Sequence, residues 1–368
     1  MELKNVLSSI PFKSRALFSL ESFQNSLPPN FTIVSTDSDY LFFGSVFTGF
    51  SNNFPIVLSN VEDAENVIKA TEGETGLIVA VGSGKFISFC RVAAKINGFS
   101  LFAVFTDLTF AYAFTPVVEY VLNGVLKICN CNLPEKILID IKKLSTLKKG
   151  KLADGFAYAS SFLSIAPFVN NELLDCVLSA SNTLIVVKND VFASVVKANI
   201  LVANVAFHIS IYNDAYFVGL ILSLISGNNE NECFFFASEY VLRLYSLVKN
   251  IDFSSVLTFP DYLTPIDELS EITCGKPCEV LSSFEPLSDE EVVSSLAKLK
   301  QKIIDINVIA KLLEKLNVLK QAYSSVYNGK KKRLEVKIEQ LKKSARLAGV
   351  YSKGVLLIIL SAGFDSFI

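Results

Sequence analysis

The strongest pattern in the chain runs over Leu77–Pro116, which reads LIVAVGSGKFISFCRVAAKINGFSLFAVFTDLTFAYAFTP. Leu77–Val81 is apolar at every position, as a strand covered on both faces requires. Lys85–Asn97 has helical spacing and stops at Gly98, the residue type that closes helices. Ser100–Phe105 is a second apolar run. A strand–helix–strand crossover of this length predicts neighbouring parallel strands in a doubly wound sheet. Upstream, Phe31–Val34 and Pro55–Leu58 read as strands and Val61–Ala70 as a helix. A polar break follows at Lys148–Leu152, centred on Gly150, and beyond it strand signals fade. Asn171–Ala180, Val191–His208, Cys233–Val248, Ser288–Leu316 and Lys330–Leu347 all have helical spacing, the last after an Asn328-Gly329 turn. The predicted organisation is an α/β lobe over residues 1–150 and an all-α lobe over residues 151–368.

Composition narrows the reading. With 368 residues the chain has room for two domains or for one domain of two lobes. Hydrophobic residues make up 51% and phenylalanines number 30, so a large aromatic core is available. Charged residues make up only 19%, sparse for a free monomer, which points to a homo-oligomer or a protein partner. A net charge of -2 supplies no basic field and argues against nucleic acid as a partner. The basic run KKKRLEVKIEQLKKSARL reads as the solvated face of an amphipathic helix, with Leu334, Val336, Ile338, Leu341 and Leu347 opposite.

A membrane span needs about 20 consecutive apolar residues. The best candidate, Ile200–Ser226, is interrupted by Asn204, His208, Asn213 and Asp214, and Val355–Leu360 is too short, so no span is expected. The start, MELKNVLSSIPFKSR, has no continuous apolar signal segment, and a cytoplasmic location is expected. The seven cysteines, Cys90, Cys129, Cys131, Cys176, Cys233, Cys274 and Cys278, are scattered and read as reduced, small core hydrophobes. Cys274 and Cys278 flank Gly-Lys-Pro, but no second Cys/His pair accompanies them, so zinc is not expected there.

The candidate chemistry lies in Gly82-Ser83-Gly84, between a buried strand and a helix start. Glycine at such a turn lets backbone approach a pyrophosphate while the first helical N–H groups face the anion, and Lys85 adds charge; a tight strand–helix turn alone also calls for glycine. Asp37, in STDSDY after the first strand, is placed to meet a ribose hydroxyl or to serve as a turn residue.

These residues resemble the glycerol-1-phosphate dehydrogenase family, a group within the iron-containing alcohol dehydrogenases and dehydroquinate synthases. That family has a Gly-Gly-Gly turn, then Asp and Lys on the helix; here Gly82-Ser83-Gly84 fills the turn, with Ser88 and Arg91 in those two places. The family continues Pro-Thr-x-x-Ser-His-Asp-Gly to a Ser-Pro. This chain reads Phe105-Thr106-Asp107-Leu108-Thr109-Phe110-Ala111-Tyr112 to Thr115-Pro116, without a gap. Thr106 and Pro116 are kept, and the His and Asp have become Phe110 and Ala111. More faintly, Gly155-Phe156-Ala157-Tyr158 matches a Gly-x-Gly-Asp segment, Tyr216 and Leu220 fall near a His-x-x-x-His pair, and Glu232 or Cys233 falls at a last histidine.

The resemblance implies a dehydroquinate synthase-like fold, a Rossmann-like parallel sheet lobe followed by a helical lobe. It implies an NAD(P) cofactor at Gly82, Ser83, Gly84, Lys85, Thr106, Thr109 and Asp37. It also implies a metal held by one carboxylate and two imidazoles. The chain has one histidine, His208, so that ligand set cannot be built, and no metal and no catalytic residue is expected. His208 itself, in VANVAFHISIY, reads as a core or interface histidine with one hydrogen-bond partner. Asp107 and Asp214 read as capping or turn residues, or as residual polar contacts between the lobes. The expected function is that of a pseudoenzyme, a structural or interaction subunit that retains at most nucleotide binding. The alternatives are an active NAD(P)-linked oxidoreductase on glycerol phosphate, dihydroxyacetone phosphate or a related small alcohol without the usual metal, and a small-ligand-binding regulator.

Overall fold

The computed structural model describes residues 15–59, 61, 63–122, 125–185, 190–208, 214–248, 263–273, 306–326 and 337–349, with single positions at 288, 290, 294, 297 and 300. The turn at Asn328-Gly329, the run Val355–Leu360 and the pair Cys274 and Cys278 lie outside the described residues.

Short apolar segments assemble side by side into a parallel sheet. They are β1 (Ala16–Leu17), β2 (Thr32–Thr36), β3 (Ile56–Leu58), β4 (Leu77–Gly82), β5 (Ser100–Phe105) and β8 (Lys136–Leu138), in the order β1-β8-β5-β4-β2-β3. β6 (Val117–Leu122) and β7 (Val125–Asn130) leave this sheet and form a two-stranded antiparallel ribbon. The ribbon was not anticipated from periodicity, although Asn123-Gly124 between two apolar runs is a hairpin signature.

The crossover β4–α4–β5, with α4 spanning Gly84–Asn97, follows the predicted pattern closely. Ser83 caps the start of α4, and Gly98 closes it at φ 82°, its N–H donating to the Ala94 carbonyl at 2.9 Å. Alternate residues of the central strands, Ile33, Val79, Val81, Phe102, Val104 and Leu138, share one core with Phe23, Phe31, Phe43 and Phe47. Phe23 meets Phe47 and Phe102 edge-on, with ring centroids 5.7 and 5.9 Å apart, which gives the abundant phenylalanine a structural use.

Two compact units result: residues up to Gly155 with Val187–Ser210, and Phe156–Val186 with Ile211 onward. The Lys148–Leu152 stretch lies at the start of α6 (Lys149–Ser161). In the first unit, α8 (Val191–His208) packs on a 3₁₀ turn at Phe110–Ala113. Asn199 on α8 fixes the approach by donating to the Gly155 carbonyl at 2.9 Å. By length and composition α8 is apolar enough to cross a membrane, and half of it is buried inside the protein. Among the described residues no strand follows β8.

The second unit contains α7 (Asn171–Ile185), α9 (Asp214–Ser226), α10 (Glu230–Val248), α11 (Leu263–Thr273), α12 (Ile306–Val326) and α13 (Ile338–Ala348). The basic face of α13 is tied to α11 where Arg346 donates to Glu268 at 2.5 Å. α9 ends at Gly227, φ 66°, whose N–H bonds the Ser223 carbonyl. α9 and α10 touch backbone to backbone at Gly219, where a Cβ would stand 2.7 Å from Phe234 Cα and 2.8 Å from its nitrogen. Gly219→Ala therefore has to push two helices apart. It should cost about 1–3 kcal/mol, read as a lowered urea midpoint with unchanged slope.

Candidate functional site at the glycine turn

In open parallel sheets, ligands gather at the carboxyl ends of the strands. That edge here carries Thr36–Asp39 after β2, Gly82-Ser83-Gly84 after β4 and Thr106–Thr109 after β5. Gly82 forms the last rung with Phe105, and its carbonyl accepts the Thr106 N–H at 3.1 Å. Ser83 Oγ accepts the Phe86 N–H at 3.4 Å. The Gly84 N–H donates to Thr109 Oγ1 at 3.1 Å. The Thr109 hydroxyl then donates to Asp107 Oδ1 at 2.7 Å, and the Thr109 N–H donates to the same oxygen at 3.0 Å.

Gly84 has no room for a side chain: a Cβ would stand 2.4 Å from the Thr109 carbonyl oxygen, 2.6 Å from Thr109 Oγ1 and 2.6 Å from Tyr112 Cδ2. The glycine is thus used to pack the chain upon itself. Every residue from Thr106 to Phe114 is buried, with Asp107 only 4% and Thr109 only 2% exposed. Burial raises the Asp107 carboxyl above its ordinary range, opposed by the Lys151 charge and the two bonds from Thr109. Asp39 raises it further.

Arg91 holds this arrangement. Its buried guanidinium donates from Nε to the Asn132 carbonyl at 3.1 Å and from Nη1 to the Tyr112 carbonyl at 2.9 Å. Nη2 donates to the carbonyls of Thr115 at 2.7 Å and Cys131 at 3.1 Å. A cavity of about 350 Å³ opens at the other end of β5, beside Ser100 and Leu101. Its cationic walls, Arg15, Arg91 and Lys95, also bond backbone carbonyls.

Of the residues singled out from sequence, Gly82, Ser83, Gly84, Thr106 and Thr109 come together. Lys85 is exposed on the first turn of α4. Asp37 is exposed as the first residue of α2 (Asp37–Phe42), and Thr36 caps the helix, its Oγ1 accepting the Asp39 N–H at 3.3 Å and donating to the Asp39 carboxyl at 2.8 Å. Asp39 and the role of Arg91 were missed. The Thr36-x-x-Asp39 spacing is a readable capping signal, whereas nothing in the sequence shows four carbonyls converging on Arg91. His208, read as a core or interface residue with one hydrogen-bond partner, lies exposed in the last turn of α8 and not in the core, with Nδ1 2.9 Å from the Asn204 carbonyl oxygen. An imidazole in the last turn of a helix is favourably placed for the helix dipole.

The nicotinamide dinucleotide implied by the resemblance needs donors at the start of α4. Gly84 and Phe86 already donate to Thr109 and Ser83, so two of the N–H groups at the start of α4 are engaged within the chain.

The metal places belong to the second unit. Tyr158 is buried edge-on to Phe162, with centroids 5.5 Å apart. Tyr216 lies over Phe234 at 4.4 Å, and Leu220 is buried. Glu232 is buried and accepts from the Tyr323 hydroxyl at 2.6 Å, while burial pushes the Cys233 thiol up to about 12. Among the described residues no three His, Cys, Asp or Glu side chains stand together to hold an ion.

No family model matches the chain, and no curated protein matches it in sequence. Solved structures do match. The E. coli K-12 protein YQHD, of unknown function, is 14% identical with a TM-score of 0.59, covering 96% of this chain and 97% of its own. A protein provisionally named an alcohol dehydrogenase from Ralstonia eutropha JMP134 is 11% identical with a TM-score of 0.58, covering 95% of each chain. Maleylacetate reductase from Agrobacterium tumefaciens is 12% identical with a TM-score of 0.50, covering 84% and 96%. The chain has the dehydroquinate synthase-like fold. In that fold a Rossmann-like α/β lobe precedes a helical one, as the strand and helix pattern predicted.

Two substitutions probe this geometry. Gly84→Ala should destabilise the protein by about 1–3 kcal/mol, because a backbone carbonyl bars the methyl; a thermal melt reads it. Asp214, in the second unit, accepts from the Tyr245 hydroxyl at 2.6 Å, yet burial lifts its carboxyl up to about 6. A carboxyl raised from about 4 on folding favours the folded state fully below pH 4, and that contribution is lost as pH rises through about 6. Asp214→Asn should therefore flatten the fall in stability between pH 4.5 and 7, measured by urea unfolding at both values.

Proposed function

We propose that this chain is a degenerate relative of the glycerol-1-phosphate dehydrogenases that acts as a structural or interaction subunit, within an oligomer or beside a protein partner, and not through nicotinamide chemistry. The observation that carries the reading is the engagement of Gly84: its N–H bonds Thr109, and Thr109 fills the space above it. A dinucleotide would have to displace a buried threonine linked to a buried Asp107. The places of the metal ligands support the same reading, since Tyr158 and Leu220 are poor ligands and Tyr216 is stacked on Phe234. A charged fraction of 19% agrees with a surface that is partly covered by another chain.

The fold alone is compatible with nucleotide binding, so the test is direct. A ligand at about 100 times its Kd stabilises a protein by about 2.7 kcal/mol, a shift that a thermal melt resolves. Titration with NADH, NADPH and dihydroxyacetone phosphate should leave the melting temperature unchanged. A saturable rise with either nucleotide, or oxidation of NADH in the presence of the ketone, would place the chain among active NAD(P)-linked oxidoreductases.

A further inference from the structure

Outside the glycine turn, the first unit brings two sulfur atoms together. Cys129 is the penultimate residue of the ribbon strand β7 and Cys131 lies two residues further on, just past the strand, so both side chains emerge on one side. Their Sγ atoms are 3.1 Å apart, closer than ordinary packing of two thiols and about 1 Å longer than a disulfide bond. Both are free cysteines, Cys129 half-buried and Cys131 buried.

Their surroundings differ in a useful way. Cys131 is pinned: its N–H donates to the Pro116 carbonyl at 3.0 Å, and its carbonyl accepts from Arg91. Cys129 is the more exposed residue of the two. Lys95, whose ammonium donates to the Asn130 carbonyl at 3.0 Å, and Arg91 place two positive charges near it. The hydrogen bond between the two thiols lowers the Cys129 thiol, burial opposes it, and the cations and the Tyr120 hydroxyl lower it further. The same bond, with burial, raises Cys131. An attacking thiol needs thiolate character and access, and a resolving thiol needs only proximity. Two sulfurs are also fewer than a closed zinc site requires, and among the described residues no third ligand type joins them.

We propose that Cys129 and Cys131 are a reversible dithiol–disulfide site whose reaction partner is a low-molecular-weight disulfide. Cys129 loses its proton and its sulfur attacks one sulfur of the incoming disulfide. This forms a mixed disulfide and expels the first thiolate, which takes up that proton. Cys131 then gives its proton to the second leaving sulfur as it attacks Cys129 Sγ, closing the Cys129–Cys131 bond. Two protein thiols are oxidised and one external disulfide is reduced to two thiols.

The test uses the full-length protein treated with oxidised glutathione, quenched in acid and read by intact mass and peptide mapping. Wild type should become lighter by two hydrogen atoms, with the disulfide inside the peptide that carries both cysteines. Cys129 should react at least about tenfold faster than the half-buried Cys176. Cys131→Ser should retain a glutathione adduct on Cys129, and Cys129→Ser should show neither product at this peptide. Both thiols staying free in wild type, or an adduct persisting on wild-type Cys129, would overturn the proposal. If a serine variant fails to fold, the wild-type peptide alone still separates these outcomes.

Discussion

Four hydrogen bonds from one buried guanidinium to four backbone carbonyls set the shape of the first unit's working edge. Arg91 sits on α4, and its acceptors lie at Tyr112, Thr115, Cys131 and Asn132, in the two loops that flank the β6–β7 ribbon. A buried cation is tolerated only when its donors are satisfied, and charge-assisted bonds are among the stronger ones available. Neither loop can therefore lift away from α4 without exposing or orphaning that charge. The segment after β5 is delivered against the helix start as a result, and Thr109 reaches Gly84 because the residues on its far side are already anchored.

The second unit is held together by different contacts. Where the resembled family places polar ligands, this chain packs rings: Tyr216 on Phe234 and Tyr158 against Phe162. The acid there, Glu232, takes the Tyr323 hydroxyl, so a buried carboxyl oxygen is satisfied by the protein itself. Ring packing and an internal hydrogen bond leave no unpaired charge at these places in low dielectric. Gly219 shows how tight the result is, with α9 and α10 in backbone contact where the apolar faces meet.

What could be read from sequence follows from how each feature is encoded. The β4–α4–β5 unit was legible because burial on both faces erases polar residues, and because Gly98 marks a left-handed stop. The predicted bounds of β5 match the structure, and α8 matches end to end. The ribbon β6–β7 was not read from periodicity, although Asn123-Gly124 between two apolar runs is a hairpin signal. The closure of Gly84 was not legible at all. A glycine that admits a phosphate and a glycine that admits a threonine from the next strand's loop are the same letter, and only three-dimensional packing tells them apart. His208, at the last residue of an apolar helix, keeps the single hydrogen-bond partner read for it but stands exposed, since periodicity does not say how a helix end meets the rest of the fold.

The sulfur pair and the closed turn share a support. Arg91 bonds the Cys131 carbonyl with the same nitrogen that bonds Thr115, and Thr115 leads into the ribbon through Pro116, whose carbonyl accepts from Cys131. Shortening the sulfur contact to bonding distance must move one of the two cysteines. Cys131 is fixed through both its N–H and its carbonyl, whereas Cys129 is held by its ladder pairing with Val118. Strain from oxidation therefore falls on β7 and not on the Arg91 anchor. The physical reason is one of strength: a charge-assisted bond in a buried site outlasts a rung of a two-stranded ribbon, whose pairing is marginal by itself. Oxidation chemistry at the ribbon and the closed state of the glycine turn are thereby separable, although a single side chain braces both.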